Sequence, residues 1–447
     1  MTRTYPIIKM NIAGEEIVWQ DADIIEAKAI QEVHPISLEM PISTIDFTVY
    51  TTDARFSIFS DGSLYNSLSE GQVIQVFEYV NGIPVFIDEY YLSEWKYLRD
   101  GVLQFRGIDL IGKLDGMQYK GGFWSALTEI ETILGAILNE HGIAFVVNGS
   151  AAEVTLKGWI PPGTALEALQ QVCFAAGAIA SGSIYEVLMI DPAVHILASS
   201  TIDITIPDTD KQDNQTVELL PLVTGVKLFV HNYLAGTAQE TIFSGDLAPG
   251  SYEFVFDKPY YSVAATGEGY VDSYLITEGG DFLVTEGGDF LVANGEFEYG
   301  SNSIILTVAP PGGTVTITGY PWVDSNESYL ATIKTNNRSN DLVIEDATLV
   351  NKNNYISIAN RITNYFIRRY DHRLTLLNYN APTALYGLAP VYGTGTYNAA
   401  GTKVGDVVWS NIKNKAVKGI AERMTYDLTG GFRIDVKSLG IEWAAIT

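Results

Sequence analysis

Apolar and polar positions alternate most cleanly between Ile42 and Leu114. Ile45, Phe47 and Val49 fall on one side and Asp46, Thr48 and Tyr50 on the other, the period of two that marks a half-buried strand. A turn-rich passage from Asp61-Gly62-Ser63 to Glu70-Gly71 leads to a β-branched and aromatic run, Val73 to Val80. Asn81-Gly82 closes that run as a hairpin, because both residues accept positive φ. The return run, Val85 to Leu98, is long enough to bend or bulge across a barrel corner, and Asp100-Gly101 turns the chain into Val102-Leu103-Gln104-Phe105-Arg106. Asp109 to Leu114 reads as one helical turn plugging the barrel's end. Such a meander leaves two open edges, which closing into a barrel or pairing with a neighbouring chain removes.

On either side the period changes. Residues 3 to 41 read as short strands, including Glu16-Ile17-Val18-Trp19, punctuated by Pro35 and Pro41, which suit edges or connections. After the meander, Thr128-x-x-Glu131 has the form of a capping box. Ile130, Ile133, Leu134, Ile137 and Leu138 follow on one helical face, stopped by His141-Gly142. A second box, Thr164-x-x-Glu167, opens a helix with Leu166, Leu169, Val172 and Cys173 inward, ending near Gly177. Phe145-Val146-Val147 and Ile184 to Ile190 are strands beside these helices. Strands return at Ile202 to Ile206, Val226 to Val230 and Val315 to Thr318. Within that block the octapeptide Thr277 to Val284 is copied immediately at Thr285 to Val292. A tandem copy points to a loop that tolerates length, since closure entropy rises slowly. A helix then carries Ile358, Ile362, Tyr365 and Phe366 on one face, with Arg368 and Arg369 at its C-terminal end, where the dipole favours cations. A strand near Leu374, a Gly-rich loop (Ala381 to Gly405) and a hairpin pairing Gly419 to Tyr426 with Phe432 to Val436 complete the chain. The division is a strand-rich block over 1–118, an α/β module over 119–198, a second β-rich block over 199–350 with the repeat at 277–292, and a helix with hairpins over 351–447.

Composition sharpens this picture. Among the 447 residues are 26 Tyr, 18 Phe and 7 Trp, a weighting toward strands. Asp and Glu number 53 against 27 Lys and Arg, a net charge of -26, which argues against nucleic-acid binding through phosphate contacts. The single cysteine, Cys173, excludes an intramolecular disulfide and sits on an apolar helix face, as a small buried hydrophobe does. The first residues lack the apolar core of a signal peptide and no run approaches the roughly 20 apolar residues of a membrane helix. The expectation is synthesis in a cytoplasm, with the Asn-x-Ser/Thr triplets at Asn148, Asn214, Asn326 and Asn337 there by chance.

Candidate chemistry is sparse. Gly107-x-x-x-x-Gly112-Lys113 approaches a phosphate-binding loop, but Leu114 replaces the magnesium-binding hydroxyl and Ile108, Leu110 and Ile111 are bulky. His34, His141, His195, His231 and His372 have no metal-ligand spacing. No Gly-x-Ser-x-Gly elbow or Cys-His arrangement occurs. A glycosidase carboxylate pair remains open among so many acids. The acids Glu278, Asp281, Glu286 and Asp289 of the repeat lack the register of calcium-binding repeats. No catalytic, cofactor-binding or metal residue is assigned, and no cofactor and no enzymatic activity are expected.

One sequence of elements resembles a known family. A Phe-x-Val strand, the run Gly71-x-x-Ile74-x-Val76-Phe77, the Asn-Gly hairpin, a long tryptophan-bearing strand and Gly107-Ile108-Asp109-Leu110-Ile111 follow in order. They are similar to the first tube-like barrel of phage tail and baseplate hub proteins, including relatives in injection machines. The likeness continues through the helix Ala165 to Gln170 and resumes in the helix around Asn360 to Arg369, the Gly405-Asp406 turn and the C-terminal hairpin. The region from 231 to 320 departs from it. The resemblance implies a mainly β fold with α+β modules: two tail-tube-like β-barrels, a small α/β module and a C-terminal α+β region. It further implies a homotrimeric ring at the virion tail tip, assembled in the host cytoplasm, that joins the six-fold tail tube to the three-fold tip and forms the channel for DNA. The partners implied are a tail tube or distal tail protein, tip spike or fibre proteins and a tape-measure protein, with no sequence-specific nucleic acid and no membrane segment. The alternatives are a virion-associated cell-wall hydrolase, which needs a carboxylate pair in one cleft, and a carbohydrate-binding tail adhesin, which needs a shallow aromatic groove.

Overall fold

The computed structural model of the chain describes residues 5–32, 34, 36–60, 62–80, 83–99, 101–182, 187–193, 204–206, 216–267, 270–271, 299–300, 302–308, 311–334, 339–367, 370–377, 407–412, 415–429 and 433–445. Strands dominate it, and the fold is mainly β. β1 (Tyr5–Ile12) and β2 (Glu15–Gln20) form a hairpin whose turn residues Ala13 and Gly14 have φ of 56° and 84°, the left-handed pair a two-residue hairpin needs. After one 3-10 turn, Asp21–Asp23, come β3 (Ile24–Glu32), β4 (Thr44–Tyr50), β5 (Val73–Val80), β6 (Ile83–Arg99) and β7 (Val102–Ile108). They hydrogen-bond in the order β3-β4-β7-β6-β5-β1-β2. Since β2 and β3 are separated only by Asp21–Asp23, the last strand of the series runs on into the first, and the sheet curls round one core. Trp19, Phe47 and Phe105 meet at its centre, with ring centroids 5.0–6.0 Å apart.

The alternation along β4 is as expected: Ile45, Phe47 and Val49 are buried, while Asp46, Thr48 and Tyr50 are not. β6 also bends as its length requires. It pairs with β5 over its first half and β7 over its second, passing over Ile87 and shifting register after Leu92 and Tyr97. The edges of the meander differ from expectation, because they are not open. β1 bonds to β5 and β3 bonds to β4, so strands from outside 42–114 fill both sides, a non-local pairing with no local signal.

α1 (Leu110–Lys113) is the expected single turn, but Leu110, Ile111 and Leu114 enter the core of the α/β module, not that of the barrel. Val73 and Ile108 of the barrel pack against that second core from the other side. α2 (Ile130–Leu138) buries all five residues of its expected face. α3 (Ala165–Ala176) buries Leu166, Leu169, Val172 and Cys173 and ends at left-handed Gly177. The capping box at α3 forms both bonds, Glu167 N–H to Thr164 Oγ1 at 3.1 Å and Thr164 N–H to Glu167 Oε2 at 2.9 Å. The one expected at α2 does not form. Thr128 and Glu129 pair with Leu156 and Thr155, so the strand Gly122–Glu129 stays extended up to the helix and the Thr128 hydroxyl bonds the Ala126 carbonyl.

A third core lies where α4 (Tyr355–Phe366) covers a sheet in which Gly225–Val230 pairs with Glu327–Thr332 and Asp341–Ile344; Val226, Leu228, Ile358, Ile362 and Tyr365 share it. Val230 pairs directly with Glu327, and between them residues 231–326 hold a fourth core formed by Phe256, Tyr260, Val263, Ile304, Leu306, Val308, Val315 and Ile317. The C-terminal strands return to the first sheet. Lys415–Asp427 bonds to β3, then Arg433–Ala445, Tyr370–Leu377 and Thr216–Leu219 extend the order outward. Sheets therefore cross the sequence boundaries: strands of the 1–118 and 351–447 blocks lie in one sheet with Thr216–Leu219 at its end, while those from 225 to 344 lie in three others. Asn81-Gly82, Arg368, Arg369, the repeat at 277–292 and the loop from 381 to 405 lie outside the described residues.

Candidate assembly surfaces

Among the described residues the main path of the largest sheet ends at β2 and at Thr216–Leu219, and a branch from Lys415–Asp427 through Val407–Ile412 ends at Ile204–Ile206. The main path has eleven strands, both ends included, joined by ten antiparallel pairings, so its two ends have the same sense along the ladder. At the first end Ile17 and Trp19 point inward, while Glu15, Glu16, Val18 and Gln20 face out. Arg55 ties this end to the following loop, with Nη1 2.6 Å from Glu15 and Nη2 2.7 Å from Asp53. Those two carboxylates hold the Arg55 guanidinium well above its ordinary range. Apolar side chains stand exposed at both ends, Val18 at 40% and Leu219 at 58%, and Phe59 in the loop beside β2 is 85% exposed. Single exposed apolar residues are ordinary; unpaired strand ends are not, because their N–H and C=O groups template further pairing.

Two of the positions considered for chemistry, Gly112 and Cys173, are held in packed surroundings. At Gly112 a Cβ would lie 2.6 Å from Ile42 Cγ2, so the glycine serves close packing. Its amide already donates to Asp109 Oδ1 at 2.9 Å, and Asp109 Oδ2 accepts from Ser43 N–H at 3.1 Å. No phosphate fits among these groups. Cys173 is buried, and burial pushes its thiol up to about 12, which removes the thiolate a nucleophile needs. His34 and His141 lie beside Glu32 and Glu140. His231 is buried with Nδ1 2.7 Å from Asp324 Oδ2, and the two close the stem of the 231–326 segment. His195, Asn214, Asn337 and the repeat's acids lie outside the described residues. Among the described residues no three of His, Cys, Asp and Glu come together as a metal set, and no helix is long and apolar enough to cross a membrane.

Among the described residues three carboxyls in and around the barrel are buried. Glu78 has no exposure, and neither of its oxygens has a hydrogen-bond partner among the described residues. No group among the described residues opposes its desolvation, which raises the carboxyl to about 8. Burial also raises Asp88 to about 6 against a 2.8 Å bond from Gln31 Nε2, and Asp109 to about 7 against its two amide bonds. In both, desolvation outweighs the bonds that favour the charged form.

No protein-family model matches the chain, and no curated protein matches it. Solved structures do. A tail protein from Neisseria meningitidis MC58 superposes with a TM-score of 0.51 at 10% identity, covering 97% of this chain and 96% of its own. A 43 kDa tail protein of prophage MuSo2 from Shewanella oneidensis gives 0.50 at 10% identity, covering 97% and 98%. The chain has the fold of these tail proteins. At such identity the likeness resides in the backbone path. Sequence reading found that barrel but missed the sheet's ends. The one local signal was the acidic pair Glu15-Glu16 on an otherwise apolar strand, a charge pattern that guards edges.

Proposed function

We propose that the chain is a structural, non-enzymatic component of a phage tail, a hub of the tail tip or baseplate. In this reading three copies form a ring that adapts the six-fold tube to the three-fold tip and surrounds the DNA channel. The observation that carries the reading is the tail-protein fold over nearly the whole chain, joined to a sheet whose main path has an unpaired strand at each end among the described residues. Closed cyclic assembly needs one heterologous interface repeated around the axis, and two different ends of one sheet are such a pair. Because β2 and Thr216–Leu219 run the same way, neighbours related by an axis along the strands join them as a parallel ladder. This replaces the edges of the 42–114 meander, which the chain fills itself. The partners remain those the resemblance implied: tube or distal tail protein, spike or fibre, and tape measure. Size-exclusion chromatography with light scattering tests it. A stable trimer is the expected result, and a monomer at micromolar concentration overturns the reading.

A further inference from the structure

The β-rich segment between residues 232 and 325 is mounted in a way its sequence does not announce. Val230 and Glu327 are cross-strand partners in a small antiparallel pair, Gly225–Val230 with Glu327–Thr332. The chain leaves that hairpin at one end and re-enters it at the same point. Ser325 N–H donates to the Asn232 carbonyl at 2.9 Å, and Asp324 holds both His231 Nδ1 and the Asn232 amide. The two connections therefore run together as a stem.

Beyond the stem the segment buries its own apolar residues. The eight members of its core and the side chains packed on it (Ile242, Phe243, Leu247, Tyr252, Phe254 and Ala265) all lie between 242 and 317. Its central strand, Gly313–Asp324, pairs with Tyr233–Ala235, Glu240–Leu247 and Tyr260–Gly267, all from the same segment. Contacts with the α/β module are local. Trp322 and Tyr233 pack on Phe123 with centroids 4.7 and 5.5 Å away. Glu253 meets Lys120 at 2.7 Å, and Asn302 Nδ2 donates to the Ile160 carbonyl at 3.3 Å. The exposed ion pair contributes little, so among the described residues the main attachments besides the stem are the aromatic contact and the Tyr233 hydroxyl, which donates to the Thr348 carbonyl.

We propose that 232–325 is a self-contained accessory module, inserted into a hairpin of a framework that folds and self-assembles without it. Assembly and the module's own contacts with other tail components then reside in separate parts of the chain. The assembly half of this inference rests on the ring-building reading above; the folding half does not. A short connection suffices after removal. His231-Asn-Gly-Asn326 is a four-residue loop between paired strands, and it keeps the 2.8 Å bond from His231 N–H to the Val350 carbonyl.

The test replaces residues 232–325 with Asn-Gly and carries Phe123→Ser, so that the ring uncovered by removal is not left bare. The expected product is folded, melts within about 3 °C of the framework transition of the full chain, and has the full chain's oligomeric state. A second variant guards against trivial failure. Val308→Asp in the full chain places a charge in the module's core, where Val308 is fully buried. It should split melting into two transitions and lower only the module's. A Val308→Asp chain that melts in one transition shifted as a whole overturns the inference, as does a framework variant that loses the full chain's oligomeric state. If the full chain is itself monomeric, the ring-building reading falls while the melting result still decides whether the module is separate.

Discussion

Glu78 shows how one residue sets a pH dependence. Its carboxyl titrates near 8 in the folded chain against an ordinary 4.5, so the folded state holds a proton that the unfolded chain releases between those values. Stability therefore falls as pH rises from about 4.5 to about 8, and Asp88 and Asp109, raised to about 6 and 7, act in the same sense over narrower windows. Glu78→Gln should raise the melting temperature by at least ~2 °C at pH 8 and leave it unchanged at pH 4, where both side chains are neutral. Scanning calorimetry at the two pH values checks this; equal effects at both would mean that the Glu78 carboxyl titrates alike in the folded and unfolded chain.

At the scale of elements, two similar tetrapeptides have different roles. Thr164-x-x-Glu167 closes a reciprocal pair of bonds at the start of α3, while Thr128-x-x-Glu131 is claimed by a strand ladder. Thr164→Ala should cost about 1 kcal/mol, and Thr164→Ser should restore most of it. Thr128→Ala should stay within roughly 0.5 kcal/mol, as for a surface position. Denaturant titration of the three variants decides; a larger loss at Thr128 would show that it caps α2. The same competition explains α1, whose apolar residues were legible but whose destination was not. A turn at the end of a strand can pack on either neighbour, and here Leu110, Ile111 and Leu114 enter the core of the α/β module.

For the whole molecule, charge makes the firmest prediction. With 53 acidic and 27 basic residues, the surface repels phosphates at every pH above the carboxylate range. Double-stranded DNA should show no mobility shift with micromolar protein at 50 mM salt, because no excess of cations is present to release its counterions. A salt-sensitive shift would reveal a basic surface masked by the net charge. If the chain forms the ring proposed above, absence of binding is an advantage: a lining that held phosphates would retard passage of DNA.

The sequence by itself determined the elements and their inner faces. Period-two alternation placed Ile45, Phe47 and Val49 inside the barrel, 3.6-period spacing placed the five buried residues of α2, and the length of the Val85 to Leu98 run forecast the bend in β6. It also determined the absence of an intramolecular disulfide and the sign of the net charge, since these need only counting. Tertiary structure alone decided which strands meet. The pairing of β3 with Lys415–Asp427 joins residues some 400 positions apart, and the pairing of Val230 with Glu327 spans a whole inserted core. Such contacts depend on matching of edges and on burial summed over the molecule, quantities that no window of neighbouring residues contains. The carboxyl of Glu78 is a further instance: a glutamate two positions beyond Val76 reads as an ordinary polar residue until surrounding strands remove its water.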